Sequence, residues 1–174
     1  MDRVVDEIGP DLVQVAADGA DPRKVSSYVR KILGKRAQVL NLHERKNRSA
    51  DSYLELYQQA ARGCPGLSWT VLAAIGQIES GHGRNAGRSS AGALGPMQFL
   101  PGTWQTYGVD GDRDGKAEIM NPFDAVPAAA RYLCANGAGK GGQQLYNAIF
   151  RYNHADWYVQ QVLGLARAYA QRYS

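Results

Sequence analysis

A mainly α-helical domain preceded by a separate helical segment is what this 174-residue sequence predicts, on three observations. Few runs alternate with the period-two pattern of a half-buried strand. Apolar residues recur instead at helical spacing, in windows closed by Gly, Pro or Ser. The charge also changes character near residue 48, which separates an arm over 1–48 from a body over 49–174.

The arm is acidic, then basic. Residues 1–22 carry Asp2, Asp6, Glu7, Asp11, Asp18 and Asp21 against Arg3 alone. Residues 23–48 carry Arg23, Lys24, Arg30, Lys31, Lys35, Arg36, Arg45, Lys46 and Arg48 against Glu44, a balance of +8 in a chain whose overall charge is +4. Val25, Val29, Ile32 and Val39 stand at roughly helical spacing, which predicts an amphipathic helix with a basic outer face. Such a face can hold anionic wall polymers, acidic phospholipid, nucleic acid or another protein. It can equally be a solvated face paired with the acidic segment before it. Few aromatics interleave with the cations, which argues against nucleic acid.

In the body, "SADSYLELYQQAARG" predicts a helix with Ser49 as N-cap and Gly63 as stop, and "CPGLSWTVLAAIGQIES" a second entered through Pro65 and Gly66. A long glycine-rich stretch follows, "GHGRNAGRSSAGALGPMQFLPGTWQTYG". After an acidic loop come helices in "AVPAAARYLCANG", in "GGQQLYNAIFRYN" and from about Asp156. Hydrophobic content of 44% with 21% charged residues is ordinary for a globular protein. No apolar run approaches the roughly 20 residues of a membrane span. Met1 does not lead into a signal-peptide pattern.

The carboxylates narrow the chemistry. The body holds three glutamates, Glu55, Glu79 and Glu118. Only Glu79 ends an apolar helix and faces a glycine-punctuated loop. Burial disfavours the charged form, so its pKa should rise and its proton persist towards neutral pH. A general acid needs that in order to protonate a leaving oxygen. Taken alone, a glutamate at a helix end also serves as a solvated end residue. Downstream, "AGALGPMQFLPGTW" combines turn glycines with the amide of Gln98 and the flat faces of Phe99 and Trp104. Sugars and N-acetyl groups suit such a surface, although aromatics in a Gly/Pro loop also serve as core.

Taken together, "AAIGQIESGHG", "AGALGPMQFLPGTW", the acidic loop, "AARYL" and "FRYNHADWYV" resemble the soluble-lytic-transglycosylase superfamily of peptidoglycan-cleaving enzymes. The likeness is greatest to actinobacterial proteins related to membrane-bound lytic transglycosylase B, and it spans about residues 60–172. It implies a lysozyme-like fold with Glu79 as the single acid/base. It also implies that Ser89, Gln98, Phe99, Tyr132, Tyr152 and Asn153 line the sugar cleft. Without it, Tyr132 and Tyr152 would read as core aromatics.

A single carboxylate is sufficient for that chemistry. Most glycosidases flank the scissile bond with two acids, and no second one has an obvious place beside Glu79. In the implied reaction Glu79 protonates the glycosidic oxygen, the substrate's N-acetyl group steadies the cationic carbon, and the same sugar's 6-hydroxyl attacks to close a 1,6-anhydro ring. Goose-type hydrolysis and a non-catalytic wall-binding or virion module are the alternatives. The setting implied is extracytoplasmic, in the wall or secreted, with peptidoglycan strands as partner and no organic cofactor.

The acidic loop carries its own expectation. "DGDRDGKAEIMNPFD" places Asp110, Asp112 and Asp114 at positions 1, 3 and 5 of an EF-hand-like loop, with Gly115 at 6 and the Lys116 carbonyl at 7. Asn121 stands where the usual glutamate would be, and Asp124, three residues on, is the expected closing ligand. A structural Ca²⁺ is therefore expected, with an uncoordinated Asp/Gly turn as the alternative. Cys64 and Cys134 fit no zinc or CxxC pattern. In an exported wall enzyme they are expected to pair, two free buried thiols being the alternative. His82 and His154 are expected to be scaffold residues.

Overall fold

The computed structural model describes residues 53–173. The arm over 1–48 and the expected cap at Ser49 lie outside the described residues. Six α-helices and one 3₁₀ turn follow, and the only strand-like pairing among the described residues is an isolated bridge between Leu94 and Phe99. No helix there is long and apolar enough to cross a membrane.

Helix α1 runs over 53–61 and buries Tyr57. Helix α2, Trp69–Ser80, starts later than the sequence predicts. Gly66 adopts φ +88°, which no α-helix accepts, and the Ser68 hydroxyl caps the helix by accepting from the Thr70 amide at 3.3 Å. Helix α3, Pro101–Tyr107, falls in the glycine-rich stretch where no helix was expected. Its signal is Pro101 at the first helical position, where a missing N–H costs nothing.

Helix α4, Pro122–Ala135, begins three residues before the predicted start at Ala125. Asn121 caps it by accepting from the Phe123 amide at 3.1 Å, and Pro122 again takes the first turn. The 3₁₀ turn Ala138–Lys140 leads into helix α5, Gly142–Asn153, and then helix α6, Asp156–Arg172. Between these last two, His154 takes φ +57°.

Helix α2 is the axis of the domain. Residues Thr70 to Gly76 are buried on every side, and its most extensive packing is against α6. Leu72 and Ile75 meet a core that includes Met97, Leu133, Ile149, Val159 and Val162. Each such side chain contributes roughly 1.5–3 kcal/mol on burial. A helix buried along this length carries its last turn, and Glu79 with it, into the interior edge of the domain.

Cys64 and Cys134 form a disulfide with Cα atoms 5.7 Å apart. It joins the entrance of α2 to α4. The chain around it packs backbone to backbone: a Cβ on Gly66 would lie 2.0 Å from the Gly139 carbonyl oxygen. Only glycine permits that approach.

Candidate active site

Glu79 sits in the last turn of α2, partly buried. Tyr158 of α6 donates its hydroxyl to Glu79 Oε1 at 2.5 Å. Burial raises the Glu79 pKa above the ordinary glutamate value, and the Tyr158 hydrogen bond opposes that rise. No second carboxylate enters the balance. In turn, Tyr158 is held protonated first by its own burial and then by the Glu79 charge. The pair is thus a carboxyl shielded from water and touched by one donor that steadies its anionic form.

The turn after Glu79 is tied down at Ser80. Its buried hydroxyl donates to the Pro96 carbonyl at 2.6 Å and accepts the Gly83 amide at 2.7 Å. Pro96 belongs to the turn that presents Gln98, so Ser80 fixes the acid against that turn. In the turn itself Leu94 and Phe99 exchange both backbone hydrogen bonds at 2.9 Å, and Gln98 closes it with φ +49°. A left-handed Gln costs about 1–2 kcal/mol. Its side-chain amide compensates by donating to the carbonyls of Gly95, at 2.9 Å, and Gly87, at 3.1 Å. Both amide protons are thereby engaged within the loop, and Oε1 is the atom left to accept from a ligand.

Phe99 is nearly fully buried and anchors an aromatic wall. Its ring centroid lies 5.6 Å from Trp104, 5.9 Å from Tyr152 and 6.5 Å from Tyr132. Tyr132 meets Tyr152 edge-on at 5.4 Å and Tyr107 at 5.0 Å. Tyr152 donates to the Met97 carbonyl at 2.8 Å, and Tyr132 to the Arg151 carbonyl at 2.9 Å. Burial, then the Glu79 charge, raises the Tyr152 pKa, although Glu79 itself does not line the hollow that the wall encloses. Gln98, Phe99, Tyr132 and Tyr152 line one hollow of about 180 Å³ together with Arg151 and His154.

Two sequence candidates are less central. Ser89 is occupied in its own turn, its hydroxyl accepting from the Ala93 amide at 3.0 Å. Asn153 is exposed at the end of α5, next to Tyr152. A larger hollow, about 610 Å³, lies beside the disulfide between Gln58 and Trp69. It holds no acid or base besides Arg62, so size alone is a poor guide to the chemistry here.

Sequence reasoning missed Tyr158, Glu79's partner. Its signal was its place in "FRYNHADWYV", six residues after Tyr152. The expected result of Tyr158→Phe follows from the sign of its interaction: losing a donor to the carboxylate moves the Glu79 pKa higher. The alkaline limb of any activity requiring protonated Glu79 should shift to higher pH, read from a pH–rate profile.

His82 has the scaffold role expected of it. Tyr169 donates to Gln77 Oε1, so His82 Nε2–H must donate to Tyr169 (2.9 Å), and Nδ1 must accept from Tyr57 (3.0 Å). One neutral imidazole therefore stitches α1, the end of α2 and α6. Burial, then Arg84, lowers its pKa and keeps it neutral.

The acidic loop gathers Asp110, Asp112 and Asp124, with one oxygen of each within 4.8 Å of the others. Asp124 is fully buried; it accepts the Gly111 amide at 2.8 Å on one oxygen, and the Glu118 amide at 2.9 Å and Asn121 at 3.1 Å on the other. Asn121 also donates to Asp112 at 2.9 Å, the main reason the Asp112 pKa is lowered. The Asp114 carboxylate is not one of that trio and accepts the Lys116 amide at 2.9 Å, while the Asp114 amide donates to Asp110 at 3.1 Å and to Asp112 at 3.2 Å. An all-oxygen set of three carboxylates suits a hard cation such as Ca²⁺. The loop also bears on the site: a Cβ on Gly95, in the Gln98 turn, would lie 1.9 Å from the Ile119 carbonyl oxygen.

Residues 83–146 match the family of transglycosylase SLT domains. The membrane-bound lytic murein transglycosylase B of Escherichia coli (strain K12) is 42% identical over 55 residues, 32% of this chain and 15% of that protein's length. Among solved structures, a 36 kDa muramidase/transglycosylase superposes with a TM-score of 0.62 at 18% identity, over 71% of this chain and 73% of that one. The Escherichia coli lytic transglycosylase Slt35 in complex with calcium gives 0.60 at 17% identity, over 98% and 92%. SltB3 from Pseudomonas aeruginosa, in complex with NAG-anhNAM-pentapeptide, gives 0.58 at 17% identity, over 98% and 80%. The fold is that of these lysozyme-like lytic transglycosylases.

Proposed function

We propose that this chain, which carries a transglycosylase SLT domain over residues 83–146 and the fold of the lytic transglycosylases, cleaves peptidoglycan between N-acetylmuramic acid and N-acetylglucosamine. The product is a 1,6-anhydro-muramoyl end. The observation that carries this reading is one shielded carboxyl, Glu79, partnered by Tyr158, with no second carboxylate acting on it among the described residues.

In the reaction the Glu79 proton passes to the glycosidic oxygen as its bond to C1 breaks. The substrate's N-acetyl group shares the positive charge at C1. Glu79, now a carboxylate steadied by the Tyr158 hydroxyl, removes the proton of the 6-hydroxyl as O6 bonds to C1. The acid is regenerated and water is not consumed. An internal nucleophile held in place competes with water because effective molarities reach about 10⁵ M or more. Tyr132 and Tyr152, backed by the buried Phe99, supply faces for the sugar and Gln98 Oε1 an acceptor, with Ser89 and Asn153 proposed as further polar contacts.

The test is mass spectrometry of soluble fragments released from purified peptidoglycan. Ends one water lighter than ordinary reducing ends are expected. Ordinary reducing ends would assign hydrolysis, and release of no fragments would leave a wall-binding module. The site of action proposed is the cell wall, outside the cytoplasm. Residues 1–48 are proposed as a separate arm whose basic part contacts anionic wall polymers or another protein.

Ca²⁺ is proposed as a structural ion at Asp110, Asp112 and Asp124, with Asp114 and the Lys116 carbonyl completing the shell. A solved neighbour's calcium complex and the cluster here support this reading. Bound, it neutralises carboxylates that otherwise repel. A ligand held only by the folded state raises stability, by about 2.7 kcal/mol at 100 times its Kd. The thermal midpoint should therefore rise with added CaCl₂, fall with chelator, and become insensitive to both in Asp112→Asn.

A further inference from the structure

Arg151 has no ionic partner among the described residues, yet it stands between two hollows. One is the 180 Å³ hollow of the aromatic wall, and the other, about 320 Å³, is lined by Asn147, Phe150, Arg151 and His154. The first is smaller than the roughly 300–1,000 Å³ of ordinary ligand sites and the second is at their lower end, so a ligand occupying both crosses Arg151. A cation in the last turn of α5 is favoured by the helix dipole. The dipole accounts for a positive charge there, not for its place at the cleft. The acid nearest in sequence, Asp156, is engaged by the Tyr146 hydroxyl at 2.6 Å. Arg151 lines the aromatic hollow with Tyr132, and its charge opposes the rise that burial and then Tyr107 give the Tyr132 pKa.

We propose that Arg151, with His154 beside it, forms an anionic subsite that takes a carboxylate of the peptide attached to the muramoyl sugar. The inference rests on the substrate proposed above and adds its peptide. A sugar in the aromatic hollow would place its lactyl-linked substituent across Arg151 into the second hollow. There a guanidinium fork can hold a carboxylate with two parallel hydrogen bonds.

The test measures binding, so that it stands apart from turnover. Full-length protein carrying Glu79→Gln is titrated with three glycan preparations: peptide-bearing, peptide-bearing with its carboxylates amidated, and peptide-free. The peptide-bearing glycan should bind tightest, and Arg151→Gln should weaken it about tenfold, the scale of one charge-assisted hydrogen bond. The amidated and peptide-free glycans should change less than twofold, and Arg151→Lys should fall between, since the charge survives and the fork does not. Equal weakening on all three glycans, or none on any, would overturn the subsite. Failure of the wild-type protein to release fragments would count against the proposed reaction and leave this binding result standing.

Discussion

Glu79→Gln should reduce fragment release by about 10³-fold or more, near the upper part of the range for a general acid. The size follows from its proposed double duty, since the same carboxyl would give a proton in the first step and take one in the second. An amide does neither. The substitution is otherwise mild: Gln Oε1 still accepts from Tyr158, and no buried charge is introduced. The thermal midpoint should stay level or rise slightly, because burial already disfavours the charged form of Glu79. Initial rates on purified peptidoglycan, with melting curves of both proteins, check the two halves. Loss of activity with an unchanged midpoint assigns Glu79 to the chemistry. The wild-type rate should also fall as pH rises through the Glu79 pKa, which burial places above the ordinary value.

How far the site was legible depends on how local its causes are. The shielding of Glu79 could be read because its environment is written next to it: an apolar helix before it and glycines after it. The GPMQF turn was legible for the same reason, since its glycines and its Gln98 lie within a few residues. Tyr158 was not, because a tyrosine 79 residues from Glu79 in an ordinary amphipathic helix looks like core until α2 and α6 are packed together. His82 likewise gains its role from Tyr57 and Tyr169, on two other helices. The missed helix α3 is the opposite case. Its local signal, Pro101, was present, but glycines on both sides made the whole stretch read as loop.

The turn that holds Gln98 also owes its shape to a neighbour that sequence spacing could not reveal. Gly95 lies against the Ile119 carbonyl, at the far end of the acidic loop. Ser80 holds the same turn from the Glu79 side through Pro96. The turn is therefore clamped between the acid's helix and the acidic loop. In this arrangement the proposed ion would act on the Gln98 turn only indirectly, through the approach of Gly95 to the Ile119 carbonyl.

Replacing both cysteines, Cys64→Ala with Cys134→Ala, should cost about 4 kcal/mol, the chain-entropy value for a closed loop of this span. The two residues are 70 apart in sequence, so the unfolded chain loses much freedom when they are joined. For a chain of this size, that corresponds to a midpoint roughly 8–16 °C lower, measured by thermal unfolding against the oxidised wild type. Alanine is the informative replacement because Cys64 is buried and serine would add an unpaired hydroxyl there. The bridge pins the start of the helix that ends in Glu79 to the helix that carries Tyr132. The buried core that includes Leu72, Ile75 and Leu133 remains in the variant. Activity well below the new midpoint should therefore survive within about twofold, since a cross-link acts chiefly on the unfolded chain. A larger loss at low temperature would mean that the packed core alone does not hold the aromatic wall and the acid in register, and that the bridge sets the width of the cleft as well as its stability.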